Sequence, residues 1–100
     1  VNMPQDPPVT VYNAVSPNGD DKHDFFEIEN IEAYPDNVVY IFNRWGNRVF
    51  EASGYDNDQL KFTGTGNAGG AGDLPGGTYF YSIHLGKSSS KITGFLVLKR

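Results

Sequence analysis

The sequence predicts an all-β domain, and three observations predict it. Apolar residues recur at every second position far more often than at every third or fourth. No window of a dozen residues carries an apolar helical stripe with caps. Six or seven short runs of this kind, joined by turns in 100 residues, form the pattern of a Greek-key arrangement, an immunoglobulin-like antiparallel β-sandwich of about seven strands. A small barrel is the alternative closure.

Val1 to Pro8 holds three prolines in eight residues and no periodic apolar face, the composition of a semi-extended linker from an upstream region. The domain is therefore expected over residues 9–100. Val9 to Val15 places Val9, Val11 and Val15 on one face, and Asp24 to Asn30 places Phe26 and Ile28 opposite Glu27 and Glu29. Asn37 to Trp45 is almost continuously apolar through Val38, Val39, Tyr40, Ile41 and Phe42, which suits a central strand covered on both faces. Gly46-Asn47 reads as a two-residue loop with positive φ, returning through Val49, Phe50, Glu51 and Ala52. Thr63 to Gly77 contains seven glycines in fifteen residues and is expected to be a mobile surface loop, ended by the turn Leu74-Pro75-Gly76-Gly77. Thr78 to Leu85 alternates most cleanly, with Tyr79, Tyr81, Ile83 and Leu85 on one face and Thr78, Phe80, Ser82 and His84 on the other. Lys91 to Lys99 is strand-like up to Arg100, so the fold is expected to finish with the chain.

Composition bounds the function. A hydrophobic fraction of 38% with 14% aromatic residues supplies one modest core in 100 residues. The net charge of −4 gives no electrostatic reason to approach nucleic acid or an anionic lipid surface. Without cysteine there is no disulfide framework, thiolate metal site or thiol nucleophile. No apolar run approaches the roughly 18 residues of a membrane helix and no signal peptide opens the chain, so direct membrane insertion is not expected. Such a chain is either cytoplasmic or addressed from elsewhere in a longer protein. A monomer is the expected state.

The stretch from Ser16 to Glu27 poses a metal question. A calcium loop needs hard oxygen ligands at alternate positions and a bidentate carboxylate at its end, because the ion takes about 6–8 oxygens. Counting from Ser16 puts Asn18 third, Asp20 fifth, the Lys22 carbonyl seventh, Asp24 ninth and Glu27 twelfth. Against this, Ser16 stands where aspartate is usual, Asp21 where glycine relieves a left-handed backbone, and Lys22 neutralises the carboxylates. Glu27 also alternates on a strand with Phe26 and Ile28. Asn18, Asp20 and Asp24 are thus the candidate calcium ligands. The favoured reading is a turn whose Asn and Asp side chains bond their own backbone.

Five segments occur in a familiar order: Val11-Tyr12-Asn13-Ala14-Val15-Ser16-Pro17-Asn18-Gly19-Asp20; Asp24-Phe25-Phe26; Ile41-Phe42-Asn43-Arg44-Trp45-Gly46-Asn47-Arg48-Val49-Phe50; Leu74-Pro75-Gly76-Gly77-Thr78-Tyr79-Phe80-Tyr81; and Gly94-Phe95 to Lys99-Arg100. Together, from Tyr12 to Arg100, they resemble the gliding motility-associated C-terminal domain, the type B sorting domain of the type IX secretion system. The resemblance implies a C-terminal address carried by larger adhesins and enzymes, delivered to the periplasm, then exported to the cell surface or secreted. It also implies an outer-membrane translocon and an outer-membrane partner of the PorP/SprF kind. The sequence departs from the family at Asp21, where glycine is usual, and at His23, where asparagine is usual. Phe62-Thr63-Gly64 stands where the family has a tryptophan-acid-glycine segment.

An address needs a stable fold and an exposed patch, in which aromatic and arginine anchors usually dominate the binding energy. Arg44, Trp45, Arg48, Lys99 and Arg100 are the candidate partner-recognition residues. A single tryptophan in a small β-domain is more often a core residue capping a hairpin than a contact, so Trp45 has a competing structural role. A strand edge near the C-terminus is an alternative mode of recognition. Catalysis is not expected: His23 and His84 are far apart in sequence and no serine sits in a nucleophile elbow. The rival function is a carbohydrate-binding or adhesive sandwich stabilised by calcium, which requires Tyr40, Tyr55, Phe80 and Phe95 to form one exposed platform.

Overall fold

The computed structural model describes residues 9–17, 24–68, 72–86 and 91–99. Within them lie seven strands: β1 (Thr10–Tyr12), β2 (Ala14–Val15), β3 (Glu27–Glu29), β4 (Val38–Phe42), β5 (Arg48–Ser53), β6 (Gly77–His84) and β7 (Lys91–Leu98). β1 and β3 form a small antiparallel sheet, and the order β2-β7-β6-β4-β5 forms the second, five-stranded sheet. All pairings are antiparallel except β2 with β7, where Ala14 and Val15 run parallel to Val97 and Leu98. The result is the expected immunoglobulin-like sandwich.

Strict alternation builds the core. Ile28 from the small sheet and Phe26 just before β3 pack in one core with Val39, Ile41, Ile83, Leu96 and Leu98 from the large one, all essentially inaccessible to water. Tyr55 and Phe62 fill the space between, with Phe50 edge-on to Phe62 at 5.0 Å and to Tyr55 at 6.4 Å. The Tyr55 hydroxyl donates to the Phe26 carbonyl and accepts the Phe62 N–H at 2.8 Å, so a buried phenol on the segment after β5 holds the chain entering β3 and the segment at Phe62. Burial raises its pKa well above that of an ordinary tyrosine. Buried Asn37 is satisfied at three points: Nδ2 donates to the carbonyls of Tyr34 and Tyr55, and Oδ1 accepts the Tyr55 N–H at 2.9 Å.

Four expectations change. Val9 to Val15 is not one strand but two: the chain leaves the small sheet after Tyr12, and the Asn13 carbonyl accepts the Val97 N–H at 2.8 Å to begin pairing with the large one. β4 is central, between β5 and β6, yet only Val39 and Ile41 are buried. Val38, Tyr40 and Phe42 lie on an outer face, where Tyr40 stacks near Phe42 at 6.3 Å and meets His84 edge-on at 5.4 Å. The hairpin between β4 and β5 exists, but its loop is Asn43 to Asn47 rather than the two residues Gly46-Asn47. The Asn43 side-chain oxygen accepts the N–H groups of Trp45 and Asn47 at 3.0 and 2.9 Å, and a register shift at Ile41/Phe42 absorbs the extra length. Of that pair only Gly46 has positive φ, at 83°.

The described parts of the glycine-rich stretch, residues 63–68 and 72–77, are also more tightly held than its composition suggests; residues 69–71 lie outside the described residues. Thr65 bridges to Asp73, the Leu74 N–H donates to the Gly64 carbonyl at 2.9 Å, and Asn67 docks on β5. Leu74-Pro75-Gly76 then leads into β6 at Gly77, as expected.

Candidate recognition surface

The strand directions bring the distinctive turns to one end of the large sheet. Register fixes this: Val15 pairs with Leu98, Leu98 with Gly77, and Phe42 with both Phe80 and Arg48. Across that end the chain therefore presents Ser16 after β2, Lys99 after β7, the Pro75-Gly76 turn before β6, and the Asn43-to-Asn47 loop joining β4 to β5. With strands about 4.8 Å apart, all four lie within one sheet width. Segments separated by thirty residues in sequence become neighbours.

A cleft of about 450 Å³ opens between the hairpin loop and the turn before β6. Asn43, Arg44 and Trp45 form one wall; Pro75, Gly76 and Gly77 form the other, with Thr78, Tyr79 and Phe80 between them. Among the described residues no carboxylate lines it, and the charge they bring to the cleft is the positive one of Arg44, in a chain of net charge −4. Trp45 is 73% exposed, which replaces the expected core role: the Asn43-organised loop turns its indole outward. The Arg44 guanidinium lies 4.8 Å from the centre of that ring, a cation–π pair that holds both side chains at the rim. Tyr79 is anchored from below, its hydroxyl donating to the Pro75 carbonyl at 2.7 Å, which fixes the turn against β6.

The other candidates divide. Arg48 begins β5 on the outer face beside the cleft, over the Tyr40 ring at 5.4 Å and 3.4 Å from the Glu51 carboxylate. Both members of that pair, Arg48 and Glu51, are more than two-fifths exposed, so the ion pair orients Arg48 more than it stabilises the fold. Lys99 is exposed at the same end, its N–H held by the Val15 carbonyl at 2.7 Å. Arg100, Asn18 and Asp20 lie outside the described residues. Asp24 is half-buried, and Glu27 sits in β3 with its neighbours Phe26 and Ile28 turned into the core. Among the described residues no three His, Cys, Asp or Glu side chains converge on a metal position.

The aromatic platform does not assemble as a set of four. Tyr55 is a core residue at 1% exposure, whereas Phe80 and Phe95 are 47% and 50% exposed on the outer face with Tyr40. Phe80 pairs with Phe95 and, on its other side, with Phe42, so three phenylalanines cross three adjacent strands in a row. Sequence reading separated Phe80 from the buried face of β6 but had no signal for the Pro75–Gly77 wall, since only long-range register sets that turn against Trp45.

One comparison with known proteins finds a match: the family model described as CHU_C Type IX secretion signal domain covers residues 9–98. No curated protein and no solved structure matches the chain.

Proposed function

Because the chain belongs to the CHU_C type IX secretion signal domain family, a C-terminal signal for export of a larger cargo across the outer membrane, we propose that its cleft end is what the export machinery reads. The single observation behind this reading is the meeting of the Asn43–Asn47 loop and the Pro75–Gly77 turn around exposed, mutually stacked Arg44 and Trp45. A tryptophan left 73% exposed costs hydrophobic burial that the fold could have taken. An arginine-stacked indole beside a proline wall has the composition of an interface anchor. Arg48 and Lys99 flank it and extend the positive rim.

In this reading the domain folds in the periplasm and a PorP/SprF-like outer-membrane protein engages the cleft. The translocon then passes the cargo to the cell surface or the medium. The domain performs no catalysis, since sorting requires only selective binding. The test fuses residues 1–100 to a fluorescent reporter with a periplasmic export signal, in a host with and without its type IX translocon and with the partner co-expressed. The expected result is reporter outside the cell only when the translocon is intact. Arg44→Ala/Trp45→Ala should hold a folded fusion in the periplasm. A wild-type fusion trapped there despite a folded domain and a functioning translocon would overturn the reading.

A further inference from the structure

Among the described residues, side chains close two of the sandwich's strand edges and nothing pairs with part of another. On β5, Asn67 accepts the Glu51 N–H and donates to the Glu51 carbonyl, both at 2.9 Å, while the N–H groups of Asn67 and Ala68 cover the Val49 carbonyl. On β3, Asn57 does the same for Ile28, accepting its N–H at 2.9 Å and donating to its carbonyl at 2.7 Å. An asparagine amide has one donor and one acceptor side, so each residue acts as a one-residue strand that denies the edge to any other chain.

β7 differs. Val97 and Lys99 turn their N–H groups away from β6 toward Asn13 and Val15. Alternation along a strand points the backbone groups of Phe95, Thr93 and Lys91 in the same direction. β2 pairs only with Val97 and Leu98; beyond Asn13 the chain crosses to the small sheet. Among the described residues nothing pairs with the Lys91-to-Phe95 edge, a length of about 17 Å at strand spacing. Lys91, Thr93 and Phe95 are exposed on its outer face, and Ile92 and Gly94 are half-buried on its inner one.

We propose that this edge is completed by an extended strand of the outer-membrane export partner, pairing with Lys91, Thr93 and Phe95 in continuation of β2. The inference rests on the export reading above and adds the mode of contact. Its occupant is a proline-free segment that places apolar side chains beside Ile92 and Gly94 and others beside Phe95. Pairing through main-chain hydrogen bonds allows one partner to serve varied addresses, because backbone groups are common to every sequence. The chain's own residues 1–8 do not suit the role, since Pro4, Pro7 and Pro8 lack the donors of a continuous ladder.

Thr93→Pro tests it, with Thr93→Val as control. Proline at 93 deletes a donor that faces the open side, leaves the ladder to β6 its hydrogen bonds, and blocks an added strand. Reporter export is measured with these variants. In parallel, amide exchange is followed in the wild-type domain with and without the purified, detergent-solubilised type IX outer-membrane complex. The expected result is a folded Thr93→Pro fusion retained in the periplasm, an exported Thr93→Val fusion, and amides of Thr93 and Phe95 that exchange about tenfold or more slowly once the complex is added. A folded Thr93→Pro fusion exported like wild type overturns the proposal while the export reading stands. If Thr93→Pro fails to fold, exchange decides alone, and unchanged rates at Thr93 and Phe95 in a bound domain overturn it. Protection of those amides by self-association, seen as a dimer in sedimentation of the domain alone, would assign the edge to a second copy and overturn it too. A wild-type fusion that never leaves the periplasm removes the export reading, and this inference with it.

Discussion

Asn67 and Glu51 exchange two hydrogen bonds of 2.9 Å, side-chain amide to backbone, sixteen residues apart in sequence. The pair fastens the glycine-rich segment to β5 and occupies the edge where another chain could add. Asn67→Ala is expected to lower unfolding free energy by about 1–2 kcal/mol, measured by urea denaturation. It should also raise the tendency to self-associate, read by size-exclusion chromatography at increasing concentration. A variant as stable and as monomeric as wild type would show that the amide merely decorates the strand.

The buried Tyr55 hydroxyl bonds the Phe26 carbonyl and the Phe62 N–H. Tyr55→Phe strands both groups and should cost about 1–3 kcal/mol. Its folded-state pKa is raised above the unfolded value by burial, so the stabilisation is full below the unfolded pKa of about 10 and declines as pH rises past it. The acid side has the opposite sign. Asp56 is held below the ordinary carboxylate range, first by the Leu60 N–H and then by that of Asp58. Its contribution is full above the unfolded carboxylate pKa and is lost as pH falls below it. Melting temperatures across pH should show an alkaline decline that Tyr55→Phe flattens and an acid decline that Asp56→Asn flattens.

Gly94 faces Tyr81 across β6 and β7, and a methyl group placed there would lie 2.6 Å from the Tyr81 hydroxyl oxygen. The ring occupies the space of the missing side chain. Gly94→Ala should destabilise by about 1–3 kcal/mol. The double variant with Tyr81→Ala should lose less than the sum of the two single changes, because the clash is shared. Additive losses would mean that ring and glycine act independently.

Trp45 is the only tryptophan of the chain and stands in solvent at the rim of the cleft, so its emission should be that of an exposed indole and change little on unfolding. Trp45→Ala and Arg44→Ala should alter stability by less than about 0.5 kcal/mol, as surface changes usually do. Phe26→Ala, in contrast, should cost about 3–5 kcal/mol. A large blue shift in the native protein would place the indole inside.

Calcium at millimolar concentration should leave the melting temperature unchanged. A cation held by Asn18, Asp20 and Asp24 in the native state alone would raise it by mass action. Calorimetric scans with calcium and with a chelator separate the two outcomes.

The sequence by itself determined the all-β class, the inward sets Phe26/Ile28 and Tyr79/Tyr81/Ile83, the hairpin after β4 and the family resemblance. Each of these is written in local order: period-two alternation follows from strand geometry, and motif order is read along the chain. Only the tertiary structure decided which way Val38, Tyr40 and Phe42 face, because a continuous apolar run has no alternation to break the tie. It decided that Trp45 is exposed, through the Asn43 carboxamide organising a five-residue loop in place of a two-residue turn. It also decided that Arg44, Trp45, Pro75 and Lys99 share one end of the sheet, and that Asn57 and Asn67 close their edges while, among the described residues, nothing pairs with the Lys91-to-Phe95 edge of β7. Those relationships are pairings between distant segments, set by register and by where the chain crosses between sheets, and no local pattern encodes them.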